Sequence, residues 1–472
     1  MVGNFMSKLY SLFSQNVVLP FYDLVRHTSR FRYSRVLDKT QWLSRAELEQ
    51  LQCYNLRKLL AYAYNYVPYY HRVFKERNLF PSDIKAVEDL VKLPVLTKAD
   101  IRMHKQDLVS TLYTDRDLVP FRSGGSSGDQ VRFFVTNDQL SWEIAAEFRA
   151  YGWAGYSLGD YCFMFWASPI DLSKSKGFQK GLTKKLERVF IANTYIMSDK
   201  VLANFASLLL SKRPEIVRGY ASSVYLMAKY LVDHRIESVR PRAVITTAET
   251  LFPSMRQMIE EAFGCEVFDF YGSREIGGMA SECEHHSGYH ISVENVAIEF
   301  IQDEEQVAAG EKGVMFLTSL RNYGMPLIRY KVGDVGEPRD DVCECGRGLP
   351  LVSSLSGRMS DFMAVYDQAL GRVMPVGPIY PLIIYGLMHV PLKGVRVFQN
   401  ELNRLEVKAV KDSGYTKKHS DYLIAFFKDA LGENIQIDID FLDSIPPLPS
   451  GKRSVFVSKI NPFETSAEHQ SV

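Results

Sequence analysis

RAVITTAETLFPSMRQMIEEAFGCEVFDFYGSREIGG, Arg242 to Gly278, passes from a strand-like run (RAVITTAE) through a helical one (SMRQMIEEAFG) to a second strand-like run (EVFDFYG). Alternation of this kind predicts an α/β domain with a largely parallel sheet. The same texture extends upstream through VRFFVT, SWEIAAEFRAYGWAG, YCFMFWAS, KVLANFASLLL, IVRGY and SSVYLMAKYLVDH. Past residue 290 it changes to short β segments separated by turns, ENVAIEFI, GVMFLTSL and PLIRYKVGD, so a strand-rich part is expected over about 290–356.

The two ends differ from this middle. From Leu43 to Phe74 apolar residues recur at helical spacing, and Pro68 ends or bends the first helix. LPVLTKADIR, Leu93 to Arg102, reads as a turn entering a helix capped by Thr97. A helical front end over about 40–105 is therefore expected. From Gly357 onward, VRVFQNELNRLEVKAV, a helical TKKHSDYLIAFFKDALG and ENIQIDIDFLDSIPPLPSGKRSVFVSKI suffice for a small α+β module of about 100 residues. The expected division is a large domain over 1–356 and a small one over 357–472, whose polar tail, 463–472, is flexible.

At 472 residues the chain exceeds a single core of ordinary size. A hydrophobic fraction of 46% with 24% charged residues is globular composition. Lys+Arg 56 against Asp+Glu 55 leaves a net charge of +1, which argues against a dedicated nucleic-acid surface. Six cysteines in so long a chain make no disulfide framework, and a cytoplasmic location is expected. No run reaches the roughly 18 apolar residues of a membrane-spanning helix, so no transmembrane segment is expected. The first 27 residues are interrupted by Ser, Gln, Asn and Pro before a signal-peptide core forms; a first amphipathic helix there lies either on a membrane or on the protein itself, and packing on the protein is the favoured expectation. Nothing in the composition fixes an oligomeric state.

Six motifs carry chemistry, two of them within the opening stretch. FRSGGSSGDQVRFF, Phe121 to Phe134, holds Ser123, Gly124, Gly125, Ser126, Ser127 and Gly128 in a row. Such a loop suits phosphate oxygens, because glycines let the backbone approach closely and serines add hydroxyl donors. By itself it would be a flexible turn, and it lacks the Gly-Lys-Ser/Thr ending of a P-loop. The others are TTAETL (Thr246–Leu251) with FYGSREIGG (Phe270–Gly278), IRYKVGDVGE (Ile328–Glu337), SGRMSDFM (Ser356–Met363) and PLPSGKR (Pro447–Arg453).

In order and spacing these motifs resemble those of the adenylate-forming superfamily, which includes acyl-CoA synthetases and adenylation domains. The helical LLAYAYNYVPYYHRVF followed by LPVLTKADIR is similar to the phenylacetate-CoA ligase branch, which also contains proteins associated with capsule and surface-polysaccharide gene sets. The resemblance runs from about Trp42 to Ile460. It implies a large N-terminal ATP- and acyl-binding domain and a small mobile C-terminal one.

It also implies roles. Ser123 to Gly128 would wrap the phosphates of ATP, although Asp129 and Gln130 stand where a Lys, or a small residue and Pro, are common in the family. Ala248 and Glu249 would run along adenine, and Tyr271 would stack near it. Gly272 and Ser273 would line the α-phosphate side, Glu275 would hold Mg²⁺, Asp334 would take both ribose hydroxyls, and Arg358 would reach the nucleotide. Hard oxygen ligands suit Mg²⁺, and a carboxylate offers two acceptors to two hydroxyls. Lys452 would bridge the attacking carboxylate and the α-phosphate, since an ammonium on a flexible stem follows developing charge. Tyr220 is a candidate wall of the acyl pocket. The pivot of the small domain would fall in GRMSDFM, where Ser360 replaces the usual acid and Asp361 follows it.

Cys343 and Cys345 form a Cys-x-Cys, and SECEHHSGYHI upstream holds Cys283, His285, His286 and His290. Three thiolates and one imidazole make a closed tetrahedral zinc site, and some relatives in the phenylacetate-CoA ligase branch have zinc there. Cys283, His290, Cys343 and Cys345 are the favoured set, with His286 the rival fourth ligand. Cys53, Cys162 and Cys265 read as small buried hydrophobes.

The function expected is ATP- and Mg²⁺-dependent adenylation of a small carboxylic acid, followed by transfer to a thiol, CoA or a carrier. An amine or amino-sugar acceptor, giving an amide in surface-polysaccharide biosynthesis, is the alternative. A non-catalytic nucleotide-binding relative is the third reading.

Overall fold

A computed structural model describes residues 10–122, 131–166, 188–194, 199–358, 363–367, 372–376, 383, 387, 390–446 and 455–460. Helices open the chain: α1 (Leu19–Arg26), α2 (Arg30–Thr40), α3 (Arg45–Tyr66), α4 (Pro68–Glu76) and α5 (Lys98–Met103). The Ser44 hydroxyl and the Glu47 carboxylate cap α3 reciprocally. Pro68 starts α4 at its first turn, where a missing N–H does no harm. Thr97 and Asp100 form the same reciprocal cap at α5. The helical front end begins well before residue 40, since α1 and α2 precede the expected region.

Next comes an antiparallel hairpin of β1 (Leu118–Arg122) and β2 (Arg132–Thr136), with the glycine-rich loop between its strands. Leu56, Leu59, Leu60, Tyr70 and Phe74 of the front-end helices pack with Phe133 and Val135 of β2 and with Leu327 and Tyr330. Helix α6 (Asn137–Trp153) follows, capped by Thr136. Then strands and helices alternate: β3 (Cys162–Trp166), β4 (Val189–Asn193), α7 (Asp199–Lys212), β5 (Ile216–Tyr220), α8 (Ala221–Asp233), β6 (Ala243–Thr247), α9 (Pro253–Phe263) and β7 (Val267–Ser273).

These five strands run parallel in the order β7-β6-β5-β3-β4. Their period-two pattern separates two faces. Phe163, Val217, Val244 and Val267 meet Phe205, Leu209, Met227, Ile259 and Phe263 of α7, α8 and α9. Cys162, Ile216, Ala243, Ile245, Phe268 and Phe270 face the opposite way, against Ala150, Tyr151 and Ala154 of α6 and the turn after it.

The strand-rich part is not a separate layer. Strands β8 (Gly277–Glu282), β9 (Tyr289–Ile291), β10 (Val296–Gln302), β11 (Glu305–Gln306), β12 (Gly313–Ser319), β13 (Tyr330–Arg339) and β14 (Leu351–Arg358) continue the same sheet beyond β7. Among the described residues the order is β11-β10-β12-β13-β14-β9-β8-β7-β6-β5-β3-β4, twelve strands in one hydrogen-bonded sheet. The join is the tight β7–β8 pairing, with Gly272 opposite Gly278 and Ser273 opposite Gly277. Glycine is required there, because a Cβ on Gly272 would lie 2.8 Å from the Gly277 carbonyl oxygen. A buried ion pair fastens α6 to this half: Arg149 donates to both Glu294 oxygens at 2.7 and 3.2 Å, and Thr40 of α2 donates to the same carboxylate.

Beyond it lie a hairpin, β15 (Met363–Asp367) with β16 (Arg372–Val376), and a four-stranded sheet with a helix packed against it. That sheet comprises β17 (Leu392–Glu401), β18 (Arg404–Lys411), β19 (Gln436–Phe441) and β20 (Phe456–Ser458), in the order β19-β18-β17-β20, with α10 (Lys417–Leu431) against it. Val397, Leu405, Val407, Leu423, Phe427 and Phe456 give it a core of its own. Large and small domains are thus built on separate cores.

Candidate active site

The parallel strands end together, and ligands of open α/β sheets bind beyond such carboxyl ends. β5 ends at Tyr220, β6 at Thr247 and β7 at Ser273. Tyr220 is buried against Trp166 from the end of β3, ring centroids 4.6 Å apart. Ala248, the first residue after β6, has a φ of +67°, a left-handed conformation that turns the chain off the sheet. Glu249 turns away: its Oε2 accepts from the Ser222 N–H at 2.9 Å, at the first turn of α8.

Thr247 pairs with Phe270, so Ala248 and Tyr271 are neighbours at the strand ends. The Tyr271 hydroxyl donates to Asp334 Oδ2 at 2.5 Å, which brings TTAET, FYGSRE and RYKVGD to one place. Glu275, in the turn between β7 and β8, is 7% exposed and accepts from the Tyr330 hydroxyl at 3.4 Å. Ser273 Oγ accepts from the Ile276 N–H and holds that turn. Asp334 and Arg358 are backbone partners across β13 and β14. The Arg358 side chain lies outside the described residues, as do Ser123 to Gly128, Ser360, Asp361 and Lys452.

A second group borders this site and escaped sequence reasoning. Gln139, Glu143, Glu147 and Tyr151 form a four-residue row along α6. The Gln139 Nε2 donates to Glu143 Oε1 at 2.7 Å, while its Oε1 is buried without a partner among the described residues. Burial, and then the neighbouring Glu147, push the Glu143 carboxyl up to about 8. Burial raises Glu147 as well, against the pull of Arg218 on β5. Glu143 reaches the β7–β8 turn, since a Cβ on Gly277 would lie 2.6 Å from its Cδ. Acids at every fourth position on a helix with an otherwise apolar face were the available signal.

One residue back along the same strands, Asp269 accepts from Thr246 at 2.6 Å and from Tyr289 at 2.9 Å. Burial, then Glu282, raise its pKa to about 7.

The cysteine and histidine ligand atoms of Cys283, His290, Cys343 and Cys345 lie within 4.8 Å of one another. The Cys283 and Cys343 sulfurs are 3.6 Å apart, and the Cys345 sulfur is 3.3 Å from His290 Nε2. His290 Nδ1 faces the Leu349 carbonyl oxygen at 3.4 Å, which leaves Nε2 to the thiols. Burial pushes the His290 imidazole down to about 4, so it is neutral, the form that binds metals. His286 lies elsewhere, its Nδ1 3.4 Å from Glu282 Oε2 and its ring against Phe268.

The fold is that of the adenylate-forming ligases. A 2-hydroxyisobutyryl-CoA ligase in the postadenylation state, with its acyl-AMP bound, superposes with a TM-score of 0.70 at 17% identity, covering 90% of this chain and 92% of that one. The open conformation of that ligase, with 2-HIB-AMP and CoA, gives 0.59 at 18% identity, covering 86% and 90%. Among proteins of assigned name, this chain is a relative of phenylacetate-coenzyme A ligases and of CapK. It is 25% identical to the Thermus thermophilus phenylacetate-coenzyme A ligase over 68% of this chain and 73% of that one. To Protein CapK of Staphylococcus aureus it is 25% identical over 84% and 87%. Residues 384–459 match the family profile described as CapK C-terminal domain.

Proposed function

We propose that this protein is an ATP-dependent carboxylate ligase that forms an acyl-AMP with release of pyrophosphate and passes the acyl group to a thiol, CoA or a carrier. The supporting observation is the hydrogen bond between Tyr271 and Asp334 at the carboxyl ends of the parallel strands, beside Ala248 and close to Glu275. That arrangement supports reading Asp334 as a ribose-binding carboxylate and Tyr271 as an aromatic wall, next to an acid that would hold Mg²⁺. When bound, Mg²⁺ would neutralise phosphate charge, and Glu275 would hold it. Asp334 would accept from both ribose hydroxyls. Ser123 to Gly128 would wrap the phosphates, and Lys452 would bring the two anions together.

An amine or amino-sugar acceptor is the second reading. Three thiols and a neutral imidazole of this spacing fit zinc, which would pin β9 and the 343–345 loop without taking part in the reaction. Six unpaired cysteines fit a reducing cytoplasm.

Carboxylate-dependent exchange of pyrophosphate into ATP, screened across carboxylic acids, tests the reading. Wild-type protein should exchange with at least one acid, and Lys452→Ala and Asp334→Ala should not, with the fold intact. Exchange unaltered by both substitutions would overturn these roles. Product mass with CoA, carrier protein or amine distinguishes the acceptors.

A further inference from the structure

The first described helical segment is inside out. Residues 10–26 bury their small polar side chains: Ser14 is 2% exposed and Ser11 and Asp23 are buried too. Ser14 packs so closely on the turn at Gly159 that a Cβ there would lie 2.7 Å from its Oγ. Asp23 is held inside by Thr28, the Phe31 N–H and Arg30. Leu19 apart, which is buried, most of the large apolar residues face outward instead. Leu12, Phe13, Val17, Phe21, Leu24 and Val25 are all at least half exposed, with Phe21 at 66% and Leu24 at 74%. Scattered single hydrophobes need no explanation, but six on one helical face do.

The charge around this face has one sign. Between Tyr10 and Leu37 there are four arginines and a single acid, Asp23, which is buried, in a chain whose net charge is only +1. Arg26, Arg32 and Arg35 are exposed. A second copy of the chain docked on this face would bring like charges together. The polar tail ETSAEHQSV has only Ala467 and Val472 to set against six large apolar side chains. A bilayer with anionic headgroups complements both features, since it takes an apolar helix face into its acyl boundary and neutralises arginines at its surface.

We infer that the apolar outer face of residues 12–25, with Arg26, Arg32 and Arg35, docks this protein on an anionic lipid surface, lying in the interface without crossing it. No helix among the described residues is long and apolar enough to cross a membrane.

The test is cosedimentation of the full chain with vesicles of phosphatidylcholine alone or mixed with phosphatidylglycerol. Binding should require the anionic lipid and weaken at high salt. Phe21→Ser with Leu24→Ser should weaken it about tenfold or more, as apolar contact is removed. Arg32→Gln with Arg35→Gln should weaken it about fivefold per arginine at low salt. All four residues are exposed, so both variants should melt as the wild type does. No binding to anionic vesicles, or equal binding by both variants, would overturn the inference. So would a wild-type dimer in solution that the serine variant disperses, because the face would then belong to a second copy.

Discussion

Replacing Glu143 by Gln should stabilise the protein at alkaline pH and leave it unchanged in mild acid. The carboxyl sits under the β7–β8 turn with Glu147 beside it, and burial raises it from an ordinary 4.5 to about 8. A carboxyl raised in this way holds its proton more tightly in the folded chain, so folding stability falls as pH climbs from 4.5 through about 8. Unscreened, the loss between pH 5 and pH 9 is about 4 kcal/mol. Part of the side chain is reached by solvent, and screening reduces the figure to about 2 kcal/mol. Glutamine keeps an acceptor for Gln139 and cannot ionise. Urea denaturation of wild type and Glu143→Gln at pH 5, 7 and 9 reads the difference directly. The gap should grow from near zero to about 2 kcal/mol in favour of the variant. A gap independent of pH, or one that closes as pH rises, would refute the assignment of a buried proton to this site.

Arg149→Met strands the Glu294 carboxylate, both side chains being 1% exposed, and should destabilise the large domain by about 3–5 kcal/mol. Adding Glu294→Leu should recover much of that loss, as read by the same denaturation. Gly277→Ala meets a φ of +88° and the Glu143 side chain together, and should cost about 2 kcal/mol or more while lowering pyrophosphate exchange. Protein purified without chelators or a metal-affinity tag should hold about one zinc per chain by elemental analysis. Cys345→Ser should lose it, and a zinc-free wild type would refute the four-ligand centre.

Some of this was legible in the residues alone. Pro68 and the Thr97–Asp100 cap act on their own neighbours, and the structure shows each where local chemistry puts it. The alternation from β3 to β7 was equally plain, because a buried parallel strand and an amphipathic helix have different periods. Other features depend on distant partners. β9 is three residues long and joins β14 some sixty positions later, so no local pattern announces that the strand-rich part shares the sheet. The segment from Tyr10 to Arg26 hides Ser11, Ser14 and Asp23, so apolar periodicity points to the wrong side of it. Glu143 looks like any helical acid until α6 is laid against the glycines of β8. TTAET, FYGSRE and RYKVGD were recognisable as motifs, whereas the bond between Tyr271 and Asp334 exists only once β7 and β13 are in place.

The unbroken run of twelve described strands makes the half that ends at Tyr220, Thr247 and Ser273 and the Cys/His-bearing half a single stator. Shear between them would rip ladder bonds from β7 through β14, so a catalytic cycle must find its moving part elsewhere. The four-stranded module beyond residue 390, with its own apolar interior, is the rotor such a machine would use.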